Sequence, residues 1–267
     1  AKIYAHKYVH PLEIGKSDSA YEALQNGFLL GITKEYNPAS HWGLSIGNEW
    51  MTTSRARGNL KLSSNMINNT IPYFFLEPSI VIDQLDDKLK TTRGSLTFFS
   101  CKTMIPYTNR NTTYKIMVDR SQFFPLGNVV GAIRLRWGHI FRQAFEEIMP
   151  IERFFLGGES SIRGYSKDTV PPLGEGTIQG GSSMINGNAE LRFPLYKDFG
   201  AVLFCDIGVL SQSGFCGFRK RWHPTSGFGF RYQTPIGALR FDIGWKWKKS
   251  FANDTGYAWY LTLGQVF

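Results

Sequence analysis

Large apolar and polar residues alternate along much of this chain. In Leu239-Arg240-Phe241-Asp242-Ile243-Gly244-Trp245-Lys246 every odd position is apolar and every even one polar or glycine. Phe228, Phe230 and Tyr232 alternate with Gly227, Gly229 and Arg231, and Ile133, Leu135 and Trp137 with Arg134 and Arg136. A two-residue period sends apolar groups to one face of a strand and charges to the other. Such segments are predicted at 28–36, 42–53, 73–83, 95–104, 114–124, 129–141, 183–194, 201–210, 227–234, 239–247 and 257–267, with weaker ones at 2–9 and 59–64. The total is roughly twelve or thirteen strands of the length that a tilted membrane crossing requires.

Two architectures produce this pattern. A sandwich in water buries its apolar face, whereas a membrane barrel turns that face to lipid and keeps polar residues in its lumen. Trp222, Trp245, Trp247, Tyr257 and Trp259 fall near strand ends, where amphipathic rings settle at a bilayer interface, and they favour the barrel. Connection lengths agree. The links at 124–127, 194–200 and 234–237 are tight, and those at 142–182, 211–224 and 248–256 are long, the two-sided pattern of outer-membrane barrels.

Composition fits an all-β protein: 15% of the 267 residues are aromatic and 28 are glycine, without helical periodicity. No run of about 18 apolar residues exists, so a spanning helix is not expected; spanning strands need no such run. The chain opens on Ala1 without a charged-then-apolar leader and reads as a processed protein or a piece of a longer one. Of the cysteines, Cys205 and Cys216 are near enough to close a small loop, but unpaired thiols at Cys101, Cys205 and Cys216 are the favoured reading. Ser160, Ser161 and the scattered His6, His10, His41, His139 and His223 show no triad spacing or nucleophile elbow. Phosphate loops and zinc motifs are absent from the sequence as well. Neither catalysis, a cofactor, a metal nor a nucleic-acid partner is expected.

Four pieces of sequence carry more. They are Phe155-Leu156-Gly157-Gly158-Glu159-Ser160-Ser161-Ile162-Arg163-Gly164-Tyr165, then Asn188-Ala189-Glu190-Leu191-Arg192-Phe193-Pro194, then Phe204-Cys205-Asp206-Ile207-Gly208, and last 227–244 with the closing Leu263-Gly264-Gln265-Val266-Phe267. In these residues and in their order the chain resembles the C-terminal barrel of the BamA/TamA-type outer-membrane insertion proteins, the bacterial surface-antigen family. The likeness covers 113–267 well, and residues 1–112 fit by strand pattern alone. Members of that family have about sixteen strands and periplasmic POTRA domains. Here the strands read as fewer and no POTRA-like segment is found, so periplasmic substrate capture is not assigned to this chain. Either N-terminal strands are missing or the barrel is smaller.

The resemblance implies an all-β fold: a transmembrane antiparallel β-barrel of about 12–16 strands, one domain over 1–267, with a long extracellular loop at 142–182 folded inward. It also implies that Arg163 at the loop tip meets acids on the lumen wall. Strand parity permits this, because Glu190 shares a face with Asn188 and Arg192, and Asp206 with Phe204 and Gly208. A guanidinium forks onto a carboxylate where lysine cannot, and Gly157, Gly158 and Gly164 let the backbone turn tightly. Arg163, Gly164, Tyr165, Glu190 and Asp206 are thus the expected pinning set; an isolated Arg-Gly-Tyr would instead be a solvated surface turn.

The last strand ends on Phe267, as barrel assembly signals do. The resemblance adds that it pairs weakly with the first strand to form a lateral gate, and Gly264 near its end invites a kink. An opened seam would template an incoming strand. Arg219, Lys220, Arg221, Lys246, Lys248 and Lys249 fall at long loops, where contact with lipid phosphates and plain solvation are both open readings. The implied function is insertion or export of other outer-membrane proteins in a bacterial outer membrane. The implied partners are lipopolysaccharide, unfolded outer-membrane proteins and periplasmic accessory proteins. A two-partner-secretion transporter and a passive pore are the alternatives.

Overall fold

A computed structural model of the chain describes residues 2–10, 21–37, 39–54, 61–88, 90–142, 144–172, 178–214, 222–234, 237–249 and 255–264. In these residues the alternating segments form twelve strands of one antiparallel sheet, ordered as in the sequence. They are β1 (Lys2–His10), β2 (Tyr21–Glu35), β3 (His41–Ser54), β4 (Thr70–Asp83), β5 (Gly94–Pro106) and β6 (Thr113–Leu126). The second half comprises β7 (Val129–Phe141), β8 (Ser183–Tyr196), β9 (Phe199–Ser211), β10 (Thr225–Thr234), β11 (Gly237–Lys246) and β12 (Tyr257–Leu263). Every strand pairs with its neighbours in sequence, so the sheet is a plain meander whose edges are β1 and β12. The β6–β7 and β8–β9 links are two-residue turns at 127–128 and 197–198, whereas the β7–β8 link runs over 142–182.

The weak strand expected at 59–64 is corrected over 61–64; residues 59 and 60 lie outside the described residues. Residues 61–63 are irregular and Ser64–Met66 is a 3-10 turn. Tertiary contacts override the local alternation there. Leu62 is drawn into an apolar cluster with Met51, Met66 and Met149, and the Lys61 N–H donates to the Gln179 side chain at 2.6 Å instead of to a ladder partner.

The two faces of the sheet are inverted relative to a protein that folds in water. Leu30, Ile32, Leu135, Leu203, Phe230 and Leu261 point outward and are exposed, Ile32 by 68%. Glu49, Asn186, Asn188, Glu190, Asp206, Arg240 and Asp242 point inward and are buried. A row of exposed aliphatic and aromatic groups around a charged interior is the signature of strands immersed in lipid. The chain is a transmembrane antiparallel β-barrel.

The interior is filled by the β7–β8 loop. Phe145, Ile148, Phe154, Leu156, Ile162, Tyr165 and Val170 of that loop pack on Ile140, Met184 and Leu210 of β7, β8 and β9. Met149 packs on Met51, Tyr73 and Met104 of β3, β4 and β5. Because one loop touches both halves of the meander, the sheet curls around it, and the apolar core lies inside the wall.

Candidate functional site: a buried arginine clasped in the lumen

The loop enters through 3-10 turns at Phe145–Glu147 and Pro150–Glu152. It is gathered by a bridge between Phe154 and Gly181, and its tip then folds at Gly157, Gly158 and Gly164, with φ of 116°, 98° and 109°. These angles lie in a region that a Cβ disfavours, so glycine is what allows the turns. The tip is further held by its own carbonyls. Asn186 and Asn188 of β8 donate to the Ser161 carbonyl, and Arg134 and Arg136 of β7 donate to that of Ser160 at 3.4 and 3.1 Å.

Arg163 follows, with 0% exposure. Its Nε donates to Asp206 Oδ2 and its Nη2 to Asp206 Oδ1, both at 2.8 Å, the two-pronged geometry that only guanidinium supplies. Nη1 donates to Glu190 Oε1 at 2.6 Å, and the backbone N–H of Arg163 donates to Asp206 Oδ2 at 3.0 Å. The guanidinium also lies over the Phe204 ring, 3.6 Å from its centroid. Burial alone lowers the pKa of the guanidinium, but Asp206 and Glu190 more than offset that and hold it above the ordinary arginine range.

Gly164 and Tyr165 complete the tip. The Gly164 N–H donates to the Tyr260 hydroxyl of β12 at 2.9 Å, and that hydroxyl donates to the Tyr165 carbonyl at 2.6 Å. The Tyr165 hydroxyl meets His223 Nδ1 at 3.1 Å, and the Lys246 ammonium lies 4.2 Å from the centroid of the Tyr165 ring. The tip thus reaches from β8 to β12.

Besides these holders of the tip, Asp242 and Gly244 of β11 also join the site without being among the residues expected from sequence. Asp242 of β11 lies 3.8 Å from Arg163 Nη1 and accepts from Arg231 and Arg240 at 2.6 and 3.1 Å, extending the ion network across four strands. Gly244 leaves room for the tip: a Cβ there would lie 2.7 Å from the Arg163 carbonyl carbon. Both share the inward parity of Arg240 in the alternating 239–246 segment, which is the signal that locates them.

The remaining expected residues stand apart from this cluster. Gly264, with φ of 107°, donates its N–H to the Ala238 carbonyl at 2.8 Å at the end of β12. Lys248 and Lys249 are exposed beyond β11. Phe267, Arg219, Lys220, Arg221 and Cys216 lie outside the described residues; Cys101 and Cys205 carry free thiols. Among the described residues no group of His, Cys, Asp and Glu is placed to hold a metal ion.

The profile of the Omp85 superfamily domain matches residues 4–267. The outer membrane protein assembly factor BamA of Neisseria meningitidis serogroup B is 30% identical over 66% of this chain and 22% of its own length. Outer envelope protein 80, chloroplastic, of Arabidopsis thaliana is 34% identical over 35% of the chain and 13% of its own length. The match therefore spans about a fifth or less of these relatives. The crystal structure of BamA from Haemophilus ducreyi lacking POTRA domains 1-3 has the same fold, with a TM-score of 0.78 and 19% identity over 96% of this chain and 57% of that one.

Proposed function

The chain belongs to the Omp85 superfamily, and we propose that it is the membrane barrel of an assembly or translocation protein that inserts or exports other outer-membrane proteins through a lateral gate between β12 and β1. The observation that carries this reading is the wholly buried Arg163, clasped by Asp206 and Glu190 within the lumen. A loop seated in this way braces the wall from inside without a folded plug, which leaves the seam as the place for the sheet to part.

The sheet order supports a seam there: among the described residues β1 and β12 are the two edges of the meander, and the ladder of β12 is to β11. An opened edge presents unpaired N–H and C=O groups, which hydrocarbon does not satisfy. An incoming strand satisfies them by adding to the sheet, so strand folding itself supplies the driving force and no nucleotide or catalytic group is required. The packed loop core at Leu156, Ile162 and Tyr165 favours this reading over an open pore.

In this reading the long-link side of the barrel faces outward and 142–182 is an extracellular loop, with Lys248 and Lys249 at the level of lipopolysaccharide phosphates. Unfolded outer-membrane proteins are the substrates and periplasmic accessory proteins the helpers. A bacterial outer membrane is the proposed location; the plant relative makes an organelle envelope the other placement.

The test is a pair of cysteines at facing positions of β1 and β12 in the full protein, with insertion of a reporter barrel followed in proteoliposomes. Oxidation is expected to stop insertion and a reductant to restore it. Undiminished insertion through a locked seam would end the gate reading.

A further inference from the structure

The loop carries a second buried ionic contact, eleven residues before Arg163 and of opposite sign. Glu152 Oε1 accepts from Lys102 Nζ of β5 at 2.8 Å, and its Oε2 accepts from Lys115 Nζ of β6 at 3.0 Å. Lys115 Nζ also donates to the Glu152 carbonyl at 2.8 Å. Lys102 Nζ in turn donates to both carboxylate oxygens of Glu49 on β3, at 3.0 and 2.8 Å. The two ammonium groups lie near the faces of Phe75 and Phe154, 5.0 and 5.1 Å from the ring centroids. Met149, three residues before Glu152, packs among Met51, Tyr73 and Met104 of the same wall.

These contacts lie on the half of the wall that Arg163 does not touch. Arg163 is a loop cation meeting the wall acids of β8, β9 and β11, and Glu152 is a loop anion meeting the wall cations of β5 and β6. The nearest wall partners differ in sign, carboxylates for Arg163 and ammonium groups for Glu152, with Arg192, Arg231 and Arg240 on one wall and Glu49 on the other tempering the contrast. A loop that slid or reversed in the lumen would put Glu152 against Glu190 and Asp206, or Arg163 against Lys102 and Lys115, and burial makes such like-charge pairs severe. The opposed signs of the nearest partners therefore favour this direction of the loop over its reverse.

We propose that Glu152, held by Lys102 and Lys115, is a positioning residue that seats the inward loop at a second fixed point and thereby aligns the Arg163 tip, making the loop a strut between the β3–β6 and β8–β12 halves of the barrel. The proposal rests on the braced-loop reading above. Its test reads loop seating without any insertion step, so its failure and that of the gate are separable.

The experiment is amide hydrogen exchange, resolved by peptide mass spectrometry, on the folded full chain in detergent or nanodiscs. The Arg163 N–H is bonded to Asp206 and the Gly164 N–H to Tyr260, so exchange of the 156–165 peptide reports tip seating directly. In Glu152→Gln, exchange at 156–165 is expected to rise on the order of tenfold while peptides from β7–β9 hold their protection. Glu152→Asp should recover part of the difference, and Arg163→Ala sets the upper limit. A purely local role would speed exchange around 148–154 and leave 156–165 at the wild-type rate; that result would overturn the proposal. Should Glu152→Gln not fold, Lys115→Gln is read in the same way. It leaves Glu152 paired with Lys102, and a smaller rise at 156–165 supports the strut while no rise refutes it.

Discussion

A guanidinium with no exposure to water is tolerable only when carboxylates face it, and the acids of this lumen are equally dependent on it. Removing one partner of a buried pair strands the other, so Arg163→Ala is expected to cost about 3–5 kcal/mol. Arg163→Lys should recover little, because an ammonium does not reproduce the three separate N–H contacts to Asp206 and Glu190. Denaturant midpoints and heat-modifiability on gels check both variants, and wild-type behaviour in either would remove the clasp from the account. Gly244→Val is the complementary change. It leaves every charge in place but pushes the tip off the wall, at about 1–3 kcal/mol by the usual penalty for overpacking. Glu190 and Asp206 were legible from strand parity and motif order. Asp242 and Gly244 have the same parity, yet nothing local to 239–246 says that a loop from 163 comes to rest there. That contact depends on a path across several strands, which short-range sequence patterns do not encode.

The strands were legible because their side chains sort by a strict two-residue period, and the bounds of β7 were read without error from 129–141. β2 begins at Tyr21, seven residues before the start read from sequence, because Glu22, Gln25 and Asn26 blur its alternation and pairing with β1 and β3 sets its length instead. The loop was legible only as a long link with a motif. Its second anchor was not, since a lone Glu in Pro150-Ile151-Glu152 has no local mark of its partners. Titration of that anchor has a definite sign. Burial raises the Glu152 pKa, but Lys102 and Lys115 more than offset this and hold it below the ordinary carboxylate range. A depressed folded pKa contributes stability that is complete above the ordinary glutamate value of about 4.3 and disappears as pH falls through the folded value. The denaturant midpoint should therefore decline below about pH 4, and Glu152→Gln should have a lower midpoint at neutral pH and a shallower decline in acid. Parallel profiles for the two proteins would show that Glu152 titrates alike in the folded and unfolded chains, and would remove its ion pairs from the account.

The inverted surface is a property of the whole molecule, and it makes a prediction that no soluble fold of the same strands would share. Leu203 of β9 is 53% exposed, and it pairs with Leu191 and Phe228 on neighbouring strands. In a protein surrounded by water, an exposed leucine tolerates arginine within about 0.5 kcal/mol. On a lipid-facing wall the same change brings a charge into hydrocarbon, at about 2–4 kcal/mol near the bilayer midplane and much less toward the interfaces. Leu203→Arg is therefore expected to lower refolding stability in lipid vesicles by an amount of that order. The same substitution at Leu126, exposed at the turn end of β6, should have little effect. Equal tolerance at both sites would place the outward face in water and remove the premise on which the gate, the lipid contacts and the braced lumen all rest. A depth-dependent loss would tie the alternation of this sequence to the bilayer, because only a solvent that excludes charge makes the outer parity of each strand selective.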